Sequence, residues 1–248
     1  MADPSLYLYG IFPAPGPKGL VVKGLDDQPI QTHVIGDFAF LYSVAKQSRY
    51  LASRKHLLGH ERVLEAAMQA GDRTLLPLQF GLIIETWERV VTELLMPHGE
   101  ALQRLFASLA GQREVGVKVL WQPDEELNQL MAADDTLRQQ RDRLEGRQLS
   151  MDEVVTIGQA IERGVEARKT AVMDAFRERL NPLANRVIEN DPLTDAMIYN
   201  AAYLIPWDQE PAFGAAIEAL DSTFEDRLRI RYNNFTAPYN FAQLDQLD

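Results

Sequence analysis

The segment EVGVKVLW, residues 114–121, decides how this chain folds, because it is the clearest β-strand in the sequence. Its apolar members occupy every second position: Val115, Val117, Val119 and Trp121 alternate with Glu114, Gly116, Lys118 and Leu120. Successive side chains of a strand point to opposite faces, so this period of two predicts a strand with one buried face. The chain on either side of it supplies the rest of the architecture.

Three strands are predicted before residue 50, at residues 5–12, 30–35 and 38–44. All three runs are apolar and rich in residues that favour strands. Only Gly36 and Asp37 separate the second run from the third, which predicts a two-residue hairpin.

A helix is expected between Ser53, a favourable N-cap, and Gly71, a favourable C-terminal cap. Its predicted buried stripe consists of Leu57, Leu64, Ala67 and Met68. Residues 78–84 then predict a strand, and residues 85–109 predict a helix that is interrupted at Pro97.

Helical sequence dominates the second half from residue 124 to residue 181. Ser150 and Glu153 have the spacing of a capping box, and the apolar positions after them predict a helix of about thirty residues. Asn181-Pro182 should end it. The remaining pattern predicts a strand at 195–205, a helix at 209–220 and a strand at 225–232.

Both halves mix strands and helices without strict strand–helix–strand alternation, which favours the α+β class. We expect two domains, 1–111 and 112–232, each a mainly antiparallel sheet with packed helices, and at least one of them ferredoxin-like. Residues 233–248 form a C-terminal tail that contains Phe235, Pro238, Tyr239 and Phe241. So many apolar groups predict that the tail packs on the body of the protein.

Composition excludes several classes of function. The chain of 248 residues has a net charge of −11 and a pI near 4.9, which argues against binding to nucleic acid or to an anionic lipid membrane. It has no cysteine, and so no disulfide or thiolate metal site. No signal peptide or membrane-spanning run is visible, and we therefore expect a soluble cytoplasmic protein.

His56 and His60 are the one candidate metal pair. Four residues apart on a predicted helix, they have a spacing that places two imidazoles on one metal. The alternative is that His60 is a hydrogen-bonded histidine of the helix's buried stripe. A metal-dependent enzyme built on this pair is the second candidate function. The phosphate-binding and nucleophile motifs are absent, so we expect no cofactor, no small-molecule substrate and no catalytic residues.

Arg227, Arg229 and Arg231 alternate with apolar residues on the last predicted strand. One interpretation is a solvated sheet face whose charges pair with neighbouring acids. The other is a docking surface for the acidic groups of a partner, because a guanidinium binds a carboxylate through two hydrogen bonds.

Six segments, in order, resemble motifs of the gas vesicle protein F/L family (GvpF/GvpL). They are LYLYGI at 6–11, HERVL at 60–64, PLQFG at 77–81, EVGVKV at 114–119, NAAYL at 200–204, and RLR at 227–229 with PYNF at 238–241. Gln79 stands where the family often has Arg, and Asn233-Asn234-Phe235 replaces a common Gly-Pro segment. These departures favour the F branch.

The resemblance implies an accessory or minor structural protein that is required for gas vesicle formation and associated with the shell. Its implied partners are the hydrophobic wall protein, during assembly, and other gas vesicle accessory proteins. No catalytic residues come with the family. The residues that we expect to contact a partner are Arg227, Arg229, Arg231, Pro238, Tyr239 and Phe241.

Overall fold

The computed structural model describes residues 4–142 and 150–244, and two antiparallel sheets with packed helices confirm the α+β class. The strands are β1 (Leu6–Pro13), β2 (Gln31–Ile35), β3 (Phe38–Val44), β4 (Leu76–Pro77), β5 (Ile83–Ile84), β6 (Gln112–Trp121), β7 (Arg186–Glu189), β8 (Met197–Pro206) and β9 (Leu228–Thr236). The helices are α1 (Arg54–Gln69), α2 (Trp87–Val90), α3 (Met96–Leu109), α4 (Pro123–Ala133), α5 (Asp135–Asp142), α6 (Met151–Leu180) and α7 (Glu210–Phe224).

The first sheet has the strand order β2-β3-β1-β4, and β5 also pairs with β1. β2 and β3 form the predicted hairpin, in which Ile35 pairs with Phe38 across the turn. Gly36, with φ of 58°, supplies the left-handed residue that the turn requires. Gly10 of β1 permits close packing, since a Cβ there would lie 2.9 Å from the Leu64 side chain.

α1 covers this sheet with a buried face that consists of His60, Val63, Leu64, Ala67 and Met68. The Ser53 hydroxyl accepts a hydrogen bond from the His56 N–H at 3.3 Å, as an N-cap does. Leu57, which was predicted on the buried stripe, is 39% exposed, and that prediction was wrong. Leu57 lies about one turn before His60, the residue at which the buried face of α1 begins.

Residues 76–84 form two short strands instead of the single strand predicted at 78–84. β4 pairs with the middle of β1 and β5 pairs with its start, and Gly81, with φ of 94°, turns the chain between them. The next helical region begins at Trp87. The helix was predicted to be interrupted at Pro97, but the irregular turn lies before that residue. A π-helical turn, Val91–Leu95, joins α2 to α3, and Pro97 lies in the first turn of α3, where its missing N–H costs little.

The second sheet has the strand order β7-β8-β6-β9, so β9 is an edge strand. The long helix α6 has 30 residues and begins with the predicted capping box: the Glu153 N–H donates to the Ser150 hydroxyl, and the Ser150 N–H donates to the Glu153 carboxylate. β7 was not predicted. Numbered within each sheet, both sheets have the order 4-1-3-2, but their ferredoxin-like classification stays a prediction.

The chain forms two compact units that are not contiguous in sequence. The first comprises Met1–Val115, Leu204–Trp207 and Asn234–Asp248, and the second comprises Gly116–Tyr203 and Asp208–Asn233. The core of the first unit is built on aromatic and aliphatic residues of β1, β3 and α1, and it includes Ala237 from the C-terminal segment. The division into domains 1–111 and 112–232 and a C-terminal tail 233–248 stays a prediction.

Candidate partner-binding site

The last strand, β9, presents its two faces differently. Leu228 is buried, and Tyr232 packs on α7: its ring lies 5.8 Å from that of Phe213, and its hydroxyl donates to Glu210 at 3.1 Å. Arg229 and Arg231 alternate with these residues and are exposed. The strand therefore turns its apolar face to the helix and its two arginines away from it.

Arg227 precedes β9 and is already bound inside the second unit. Its Nε and Nη2 donate to the two carboxylate oxygens of Glu126 at 3.0 and 2.9 Å, and Arg168 donates to the same carboxylate at 2.9 Å. The Glu126 side chain is only 2% exposed. Its burial alone would raise the pKa of this carboxyl, but the hydrogen bonds from Arg227 and Arg168 outweigh it and lower the pKa. Arg227 is thus a structural residue and not a free docking group.

Lys118, on the neighbouring strand β6, lies close to the two exposed arginines of β9. A Cβ on Gly116 would lie 3.9 Å from the Cβ of Asn233, so these two residues face each other across the β6–β9 pair. In an antiparallel pair, this register places Lys118 opposite Arg231. The sequence pattern had assigned Lys118 to the outward face of β6 but gave no sign that it would stand beside the arginines.

The C-terminal segment 237–241 is held by Glu114, on β6. The Asn240 N–H donates to one oxygen of the Glu114 carboxylate at 2.9 Å, and the Asn240 side-chain amide donates to the other at 2.6 Å. Glu114 is 4% exposed, and its burial raises its pKa to about 7, against the opposing effect of the hydrogen bonds from the 240–241 segment. Sequence alternation had placed this carboxylate on the polar face of its strand.

Within that segment, Pro238 and Phe241 are buried, and Phe241 has no exposed surface. Tyr239 is partly buried against the core of the first unit, and its burial raises its pKa above the usual range. Phe235 packs on Trp207 with 6.2 Å between ring centroids. Pro238, Tyr239 and Phe241, which were predicted to contact a partner, therefore pack within the protein itself. Of these three residues, only Tyr239 has appreciable exposed surface.

The two histidines contact different partners within the protein. His60 is 2% exposed, and its Nδ1 lies 2.9 Å from the Tyr7 hydroxyl, whereas the Nδ1 of His56 lies 2.9 Å from the Leu51 carbonyl oxygen. Burial lowers the pKa of His60 to about 4, so that it is neutral at pH 7. Among the described residues, no group of three histidine or carboxylate side chains is arranged to hold a metal ion.

A family model described as "Gas vesicle synthesis protein GvpL/GvpF" matches residues 5–243. The chain belongs to the gas vesicle GvpL/GvpF family. Gas vesicle protein F of Dolichospermum flosaquae is 54% identical over 240 residues, which cover 97% of this chain and 98% of that protein. The crystal structure of GvpF from Anabaena sp. PCC7120 has a TM-score of 0.85 at 51% identity and covers 97% of both chains. The structure of GvpF from Microcystis aeruginosa has a TM-score of 0.86 at 54% identity, over 97% of this chain and 100% of that one.

These matches confirm the resemblance to the GvpL/GvpF family and its F branch. Membership in the GvpL/GvpF family supports a role in gas vesicle formation and indicates a structural or assembly protein instead of an enzyme. It also points to association with gas vesicles in the cell. Over residues 4–142 and 150–244, none of the helices has the length and apolarity needed to cross a bilayer.

Proposed function

We propose that this protein is a non-catalytic accessory component, required for gas vesicle formation, that contacts the hydrophobic wall protein while the shell is assembled. The observation that supports this most strongly is the match to the GvpL/GvpF family over residues 5–243, together with 54% identity to a gas vesicle protein F along almost the entire chain. Other gas vesicle accessory proteins are proposed as further partners.

The proposed role has a physical rationale. A wall subunit that has not yet assembled exposes apolar surface, and such surface drives aggregation. A partner with a net charge of −11 keeps a complex dispersed through mutual repulsion between complexes. Because Pro238 and Phe241 are buried in this protein, we assign the contact to other surfaces. Two candidates are the exposed Leu57 and Leu58 of α1 and the outer side of β9, which has no neighbouring strand in the described part of the chain.

Co-expression with the wall protein tests the contact. We expect the wall protein to move from the insoluble to the soluble fraction when this protein is present, and to elute with it from an affinity column. An unrelated soluble protein of similar size and net charge is the control for a simple charge effect. A wall protein that stays insoluble and does not co-elute, while this protein itself remains folded, contradicts the proposed contact.

A further inference from the structure

Basic charge is concentrated on one part of this acidic protein. The chain has 36 acidic and 25 basic residues, counting Lys and Arg. On the face of the second sheet that points away from α7, the one carboxylate of β6 and β9 is Glu114, which is 4% exposed and accepts two hydrogen bonds from Asn240. From Gly116 and Asn233 to the other end of the pair, this face carries none. The residues at these positions are Gly116, Lys118 and Leu120 on β6, and Arg229, Arg231 and Asn233 on β9.

The three cations of this surface, Lys118, Arg229 and Arg231, will be called the basic edge. Within the described part of the chain, none of them has a carboxylate at ion-pair distance, although other basic side chains of the second unit do, such as Arg168 and Arg177. Arg227 shows the difference two residues away, where its Nε and Nη2 donate to the two carboxylate oxygens of Glu126. Arg229 and Arg231 carry the same guanidinium group, but no carboxylate of residues 4–142 and 150–244 lies at ion-pair distance from either.

The backbone at this position is also open to a partner. β9 has β6 on one side and no strand on the other in the described sheet, so its outer N–H and C=O groups face outward. Charged residues on an edge strand often serve only to prevent aggregation. Lys118 indicates a binding role in addition to this protection, because it lies on the interior strand β6 and not on the edge strand.

We propose that the basic edge binds an extended acidic segment of a protein partner, which adds to β9 as a fifth strand. Side chains two residues apart on a strand share a face and lie about 6.6–6.8 Å apart. The segment that fits therefore carries carboxylates at alternate positions, one facing Arg229 and the next facing Arg231. Each guanidinium can bind a carboxylate through two hydrogen bonds, and backbone pairing fixes the register.

Peptide binding to the full-length protein tests this proposal. The probe is a fluorescein-labelled peptide of about nine residues in which glutamate alternates with threonine and valine, and binding is followed by fluorescence anisotropy. A second peptide has the same composition with its glutamates in one block. We expect the alternating peptide to bind at least about tenfold more tightly than the block peptide, and to weaken as salt rises from about 50 to 300 mM.

Charge reversal on the protein supplies the matched control. The double variant Arg229→Glu/Arg231→Glu keeps a charged edge but reverses its sign, and it should bind the alternating peptide at least about tenfold more weakly. Arg49→Glu/Arg54→Glu alters two exposed arginines elsewhere and should bind like the wild type. Both variants change the net charge from −11 to −15, since each reversal subtracts two, so that general repulsion is equal.

Three results would overturn the proposal: equal binding by the wild type and the β9 variant, equal binding of the two peptides, or tighter binding of anionic phosphatidylserine vesicles than of the alternating peptide. If the reversed variant fails to fold, Arg229→Gln/Arg231→Gln replaces it and should weaken binding in the same direction. The measurement uses no wall protein, so its failure leaves the proposed role in vesicle formation untouched.

Discussion

Replacing Glu114 by Gln should raise the stability of the protein relative to the wild type as the pH increases. Burial raises the pKa of this carboxyl from 4.5 in the unfolded chain to about 7 in the folded protein. The folded state therefore binds the proton more tightly. The stability contributed by protonation is complete below about pH 4.5, and it is lost as the pH rises through about 7.

The size of the effect follows from the two pKa values. One pKa unit corresponds to about 1.4 kcal/mol, so the whole shift represents roughly 3 kcal/mol of unfolding free energy. About 2 kcal/mol of this change falls between pH ~5.5 and ~8.5, a range that avoids the pI near 4.9. His60 has the opposite dependence, because its lowered pKa makes the fold lose stability as the pH falls from about 6.5 through about 4. That contribution is common to both proteins and cancels in the comparison.

Urea denaturation of the wild type and of Glu114→Gln at both pH values measures the effect. The stability difference between the two proteins should shift by about 2 kcal/mol in favour of the glutamine variant at the higher pH. Glu100→Gln, at an exposed position of α3, is the control. Its stability difference from the wild type should change by less than about 0.5 kcal/mol between the two pH values. A difference for Glu114→Gln that is the same at both pH values would refute the reasoning.

Two further pairs of substitutions separate structural residues from exposed ones, and urea or thermal denaturation measures all four variants. Phe241→Ala should lower the free energy of unfolding by about 3–5 kcal/mol because the ring is fully buried. Its control, Met96→Ala, at a position 76% exposed, should change that free energy by less than about 0.5 kcal/mol. An equally small effect of Phe241→Ala would mean that the C-terminal segment is not anchored. Arg227→Ser removes one of two cations from the buried Glu126 carboxylate and should lower the free energy of unfolding by about 2 kcal/mol. Its control, Arg229→Ser, at an exposed position, should lower it by less than about 1 kcal/mol. Equal losses of stability would show that the two arginines are in equivalent environments.

Features whose signals are local in sequence were predictable. The alternation in β6 identified a strand that the structure extends by two residues, to Gln112–Trp121. The Ser150 capping box and the Gly36 hairpin were also found where the sequence placed them. Periodicity, caps and tight turns depend on residues within about four positions of each other, so a single sequence contains the whole signal.

Features that depend on distant partners were not predictable. Glu114 is buried by donors that lie 126 residues further along the chain, and Arg227 is held by a carboxylate 101 residues before it. Neither partner is visible in the local pattern, which therefore assigned Glu114 to a polar face and Arg227 to a docking surface. A clue did exist for the first pair, since EVGVKV and PYNF were both recognised as family motifs, but recognition did not show that they touch.

Two predictions from local patterns were also wrong or missing: the burial of Leu57 and the strand β7. Leu57 has helical spacing from Leu64, but it lies about one turn before His60, where the buried face of α1 begins, and it is 39% exposed. The strand β7 is only four residues long, too short to produce a period of its own.

Deletion of the gene in a gas-vesicle-forming host is the most direct measurement of the central claim, which is that this protein is required for gas vesicle formation. Cells should lose buoyancy and show absent or malformed vesicles by electron microscopy, and a plasmid copy of the wild-type gene should restore both. Normal numbers of well-formed vesicles in cells that lack the protein, and that express no second member of the same family, would contradict it.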